Sequence, residues 1–139
     1  MKKVLFGGMA ALVLAAGSVQ AHHSFSAEFD ANKPVTLKGI VTKIEWTNPH
    51  VWFYVNVKDE KTGEMVNWGA EMGPPHGLQR RGWRRDTLKI GEEVTVIGSL
   101  AKNGSKRMNA RTVTLTSTGG RPGESLSAAS SEGDGAAEK

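Results

Sequence analysis

Apolar and polar residues alternate with a period of two over most of the chain from Pro34 to Leu115, the mark of half-buried β-strands. Val35-Thr36-Leu37-Lys38-Gly39 opens a first strand. Ile40, Thr42, Ile44 and Trp46 continue it in the opposite phase. A phase change at a glycine predicts a bulge or bend at Gly39. Asn48-Pro49 is a turn signal. Residues 51–57 form the second strand, with Val51, Phe53, Val55 and Val57 on one face and His50, Trp52, Tyr54 and Asn56 on the other. A turn-rich run over 58–63 leads to a third strand, 65–71, with Val66, Trp68 and Ala70 on one side. Gly73-Pro74-Pro75-His76-Gly77 breaks the sheet. A short helix is expected over 77–85, weakened by Gly82. Residues 94–98 and 109–115 are the fourth and fifth strands, with an Asn103-Gly104 turn between them.

Five strands, a bend in the first and a short helix between the third and fourth predict an all-β fold. The expected form is a small five-stranded OB-like barrel over residues 34–117. Closure hides strand edges in a chain that has no cysteine for stapling. A β-sandwich, the competing plan, normally needs about seven strands.

The two ends depart from this pattern. Residues 1–21 read as a secretory signal peptide. Lys2 and Lys3 precede an apolar run, and small residues at Val19 and Ala21 fit a cleavage site. The expected location is therefore periplasmic or secreted. Residues 22–33 form an N-terminal arm, which Phe25 and Phe29 would pin to the body. Residues 118–139 are rich in Gly, Ser and Ala, with Glu124, Glu132, Asp134 and Glu138, and are expected to be a disordered tail. No later stretch is long and apolar enough to span a membrane.

Half of the formal charge of +4 leaves with Lys2 and Lys3, so nucleic acid is not an expected partner. The absence of cysteine excludes thiol catalysis and thiolate metal sites. No nucleophile elbow, phosphate loop or dinucleotide fingerprint occurs, and a binding protein rather than an enzyme is expected.

Cleavage after Ala21 would leave His22-His23 at the free N-terminus. An N-terminal histidine offers an α-amine and an imidazole on one residue. Such nitrogen ligands suit Cu(II), Ni(II) or Zn(II), with Cu(II) the first expectation. His50, held in a loop by Asn48-Pro49, is the expected partner of His22, with His23 as a further candidate. The competing readings are a mobile terminus and a turn-stabilising His50. His76 has a similar loop context and is a weaker candidate.

A metal-free binding module for a small anion, glycan or partner protein is the alternative. Trp52 and Tyr54 would then stack a ligand, and Arg81 and Arg84, in the cluster Arg80, Arg81, Arg84 and Arg85, would hold an anion. Against this, the rings also suit a core, and the arginines a solvated face. A mononuclear copper redox enzyme is the remaining reading. Glu45 and Glu71 are the carboxylates that would serve as a pair, although spacing does not bring them together.

His22-His23-Ser24-Phe25, Val35-Thr36-Leu37-Lys38-Gly39, Trp46-Thr47-Asn48-Pro49-His50, Gly73-Pro74-Pro75 and Arg81-Gly82-Trp83 resemble an uncharacterised family of small secreted bacterial proteins, classed only as a domain of unknown function. The resemblance covers about residues 21–115, and Trp-x-Asn-Pro-His is its most specific part. It implies a secreted, single-domain β protein and no particular activity.

Overall fold

The computed structural model describes residues 25–116 and 125–129. The elements in chain order are β1 (Phe29–Glu45), β2 (Trp52–Lys58), β3 (Met65–Glu71), a short helix α1 (Pro75–Arg80), β4 (Glu93–Ala101), β5 (Arg107–Leu115) and β6 (Ser125–Ser127). They form a six-stranded sheet in the order β3-β2-β1-β4-β5-β6. A further, parallel pairing of β3 with β5 joins the first five strands into a ring.

The ring follows from the length of β1. Its first part, Phe29 to Ile40, pairs with β4, and its last part, Ile40 to Glu45, pairs with β2. One curved strand thus serves two neighbours. Alternation along β2 then sends Val51, Phe53 and Val55 fully inside, where they meet Leu37, Val41, Val94, Val96, Met108 and Val113.

The change of phase in β1 lies two residues later than the sequence pattern places it. Val41 is buried at 1% exposure and Ile40 is 39% exposed. The irregularity falls between Val41 and Lys43, and it turns Ile44 towards the core. Gly39 has a different role: a Cβ there would stand 2.3 Å from the carbonyl oxygen of Asn56. Only glycine permits this approach of β1 to β2. Gly39→Val is therefore expected to lower stability by about 2–3 kcal/mol, read from urea unfolding. An unchanged midpoint would show that the strands separate there at no cost.

The helix is shorter than the pattern suggests and starts earlier. Proline suits its first turn, where the amide hydrogen has no helical partner. Gly82, at φ +91°, turns the chain out of it. Trp83 follows directly and is 1% exposed, the largest of the fully buried side chains. Trp46, expected inside, is half-buried against the rim of the core.

Each end carries an element outside the expected barrel bounds. In the arm, residues 25–28 form a helical turn and β1 begins at Phe29. The Phe25 and Phe29 rings are buried with centroids 5.8 Å apart. In the C-terminal stretch expected to be disordered, Ser125–Ser127 is instead a strand paired with β5. The Ala128 amide donates to the Arg111 carbonyl, and the Gly73 amide donates to the Ala128 carbonyl. The rest of the expected tail, and the signal segment, lie outside the described residues. Among the described residues no helix is long and apolar enough to cross a membrane.

Candidate functional site

The β2–β3 ladder continues beyond both strands. The Val51 amide donates to the Gly73 carbonyl at 3.0 Å, and the Met72 amide to the Val51 carbonyl at 2.8 Å. These bonds clamp the loop that carries His50 against the end of β3. His50 Nδ1 stands 3.1 Å from Glu71 Oε1.

Glu71 is 6% exposed, although alternation along β3 points it away from Ala70 and the core. The parallel pairing with β5 covers it, placing Asn109 opposite. Asn109, itself 1% exposed, donates a side-chain hydrogen bond to the Glu71 carboxylate. Burial, seconded by the nearby charge of Glu28, pushes the Glu71 carboxyl up to about 7, against the pull of Arg107 and Asn109. Burial pushes His50 below its ordinary value, and Glu28 opposes this. His50 is thus neutral near pH 7. A proton on Nδ1, facing Glu71, would leave the lone pair on Nε2. A carboxylate behind an imidazole orients metal-ligating histidines in general.

Glu28 comes from the arm. Its carboxylate lies 4.0 Å from the Arg107 guanidinium, at the start of β5. The arm, His50, Glu71 and Arg107 therefore occupy one end of the ring. Among the described residues no three His, Asp or Glu side chains converge closely enough to hold a metal. Any metal at His50 needs donors from elsewhere in the chain.

A second feature lies on the outer face of β2 and β3. An open groove of about 460 Å³ is lined by Trp52, Tyr54, Asn67, Gly69, Lys106 and Arg107, with Glu45 at its edge. Arg107 lies over the Trp52 ring at 4.6 Å, and Lys43 over Tyr54 at 5.2 Å. Tyr54 donates its hydroxyl to Glu45 at 3.3 Å, and Lys43 pairs with the same carboxylate.

A family model matches residues 10–110: "Family of unknown function (DUF6152)". The chain belongs to this family. The DUF6152 match takes in His22, His23, His50, Glu71 and Arg107 and ends inside β5. No curated protein matches the chain. Among solved structures, one similar chain is the ZRD-deleted mutant of TiaS in complex with agmatine. It shares 22% identity at a TM-score of 0.45, over 74% of this chain and 28% of that one. This DUF6152 protein thus spans little more than a quarter of the TiaS chain, and a likeness at that level carries neither fold nor ligand across.

The residues singled out in the sequence are distributed as follows. His22 and His23 lie outside the described residues. His50 is at the ring end beside Glu71. Trp52 and Tyr54 share the groove. Arg81 and Arg84 do not line it: they sit exposed on the turn after α1, where Arg81 donates to the Gly77 carbonyl at 3.4 Å. His76 is exposed on α1. Glu45 and Glu71 are not partners, since one joins Lys43 and Tyr54 and the other joins His50 and Asn109. Sequence reasoning missed Glu28, Lys106, Arg107 and Asn109. The Lys106-Arg107 pair beside an Asn-Gly turn was the available signal, since it opens a strand that pairs with β3.

Proposed function

We propose that this protein is a small secreted, periplasmic binding protein that takes up a divalent metal, Cu(II) first, through the mature N-terminal His22 and His50. The observation that carries this reading is the 3.1 Å approach of His50 Nδ1 to the carboxyl of the buried Glu71, an arrangement that would orient the imidazole and free Nε2 for a metal. The arm supports it: Glu28 is close enough to shift both His50 and Glu71, and it stands only a few residues from His22. The α-amine and imidazole of His22 with Nε2 of His50 make a three-nitrogen set suited to Cu(II). His23 is a reserve donor. The fold is read as an OB-like barrel. Its support is the ring order β1-β2-β3-β5-β4 with parallel β3 and β5, and the helix between β3 and β4.

The test is calorimetry and electron paramagnetic resonance on the secreted protein. An N-terminal Gly-Ser extension removes the His22 amine from the chelate and keeps every side chain. It is expected to weaken Cu(II) binding at least about tenfold, and His50→Ala comparably. Affinity falls below about pH 6 as the imidazoles take up protons. Equal affinity in the native and extended proteins would end the N-terminal reading.

A further inference from the structure

One edge of β5 serves two partners. β3 takes its first half, with Gly69, Ala70 and Glu71 opposite Arg107, Met108 and Asn109. β6 takes the second half, with Ser125, Leu126 and Ser127 opposite Thr114, Val113 and Thr112. Residues 125–129 thus complete the wall that β3 leaves open. The hold on them is mostly backbone. The Ala128 amide donates to the Arg111 carbonyl, and Trp83 Nε1 donates to the Ser127 carbonyl, each at 2.8 Å. Leu126 is half-buried, and the buried Ala128 and Ala129 are small. A strand secured by few apolar contacts opens locally while the rest of a domain stays folded.

Gly73 joins this segment to the candidate site. Its amide donates to the Ala128 carbonyl at 2.8 Å, and its carbonyl accepts the Val51 amide at 3.0 Å. The Val51 carbonyl accepts the Met72 amide at 2.8 Å. Val51, Met72, Gly73 and Ala128 are all buried, where no solvent stands ready to replace a broken bond. A Cβ on Gly73 would collide with Ala129, so the glycine admits the segment at backbone distance. Val51 directly follows His50. A relay of buried backbone bonds therefore runs from the C-terminal segment to the loop that carries the imidazole.

We propose that Ser125–Ala129 is a positioning segment for His50: docked on β5, it fixes the Gly73 peptide and, through Val51, the direction of the His50 ring. Its effect on a metal rests on the copper reading above, and its effect on the loop does not.

The chain has no cysteine, and the Thr114 and Ser125 hydroxyls lie 2.7 Å apart on paired strands. Thr114→Cys with Ser125→Cys in the full chain therefore makes a lock that closes on oxidation and opens with a reductant. In metal-free protein, closing it should slow amide exchange at Gly73 and Val51 at least about fivefold more than at the β4 amides. The His50 ring signals in NMR should shift with it. Leu126→Asp, which puts a charge on the half-buried side of β6, should speed exchange at the same two amides about tenfold. A segment that merely adds stability would move all amides alike. Cu(II) calorimetry is run on wild type and Leu126→Asp alone, since thiols bind copper, and the variant should bind about fivefold more weakly. Wild-type protein that takes up no Cu(II) would end the copper reading and leave the exchange comparison to judge the segment. Val51 exchange and His50 signals that ignore both the lock and Leu126→Asp would overturn the proposal, as would a cysteine pair that does not oxidise. Wild-type Cu(II) affinity in a Leu126→Asp protein whose Val51 amide has loosened would overturn it too.

Discussion

Trp83→Ala is expected to lose about 3–5 kcal/mol of stability in urea unfolding, against a much smaller loss for Trp46→Ala. Trp83 is 1% exposed and sits in the core cluster with Leu78, Leu88, Met72 and Ala128. Its truncation leaves a cavity that the rigid ring of strands cannot close. It also removes a hydrogen bond, because Nε1 donates to the Ser127 carbonyl at 2.8 Å. That bond ties the turn after α1 to β6. Trp83→Phe separates the two contributions: it keeps most of the volume, gives up the donor and should cost about 1–2 kcal/mol. A loss below about 1 kcal/mol for Trp83→Ala would mean that the site collapses around the smaller side chain.

Strands with clean alternation were legible. In β2 and the residue before it, Val51, Phe53 and Val55 are separated by amphipathic residues, so pattern and burial agree. In β1, Ile40 and Val41 are adjacent and both apolar. Pattern cannot say which faces in, and the bulge after Val41 decides it. The C-terminal segment was illegible for another reason. Leu126 is its one large apolar residue, and backbone bonds to Arg111 and Gly73 hold the segment. A Cβ on Gly73 would lie 2.3 Å from the Ala129 carbonyl oxygen, a close approach that leaves no hydrophobic signal in the sequence.

The loop that carries His50 was legible because Asn48-Pro49 marks it. Glu71 was not legible as the partner of His50. On a two-faced strand it reads as an outward, solvated carboxylate. It is buried only because β5 returns parallel to β3 and sets Asn109 against it, a contact between residues far apart in the chain. Arg81 and Arg84 mislead in the opposite way. Clustering suggested one anion site, and the turn at Gly82 leaves them on an exposed corner away from the aromatic groove.

Stability of the metal-free protein should carry a component that falls as pH rises from about 4.5 to 7, and Glu71→Gln should abolish it. The ordinary carboxyl value is 4.5, and burial holds Glu71 at about 7 in the folded state. Below 4.5 both states keep the proton and the contribution is complete. Between the two values the unfolded chain releases the proton while the folded chain retains it, so stability declines. Above 7 the folded state holds a buried carboxylate and the loss is complete. The separation corresponds to about 3 kcal/mol. His50 adds the opposite slope, because its lowered value removes stability as pH falls through and below 6.5. The difference between wild type and Glu71→Gln at each pH isolates the carboxyl. Glutamine stays uncharged and can still accept from Asn109, so the variant should be the more stable protein at pH 8 and close to wild type at pH 4.5. Cu(II) at His50 would favour the ionised Glu71, and saturating metal should flatten the wild-type slope. A difference profile that is level from pH 4.5 to 8 would show that water reaches Glu71 freely, and would remove the buried carboxylate from behind His50.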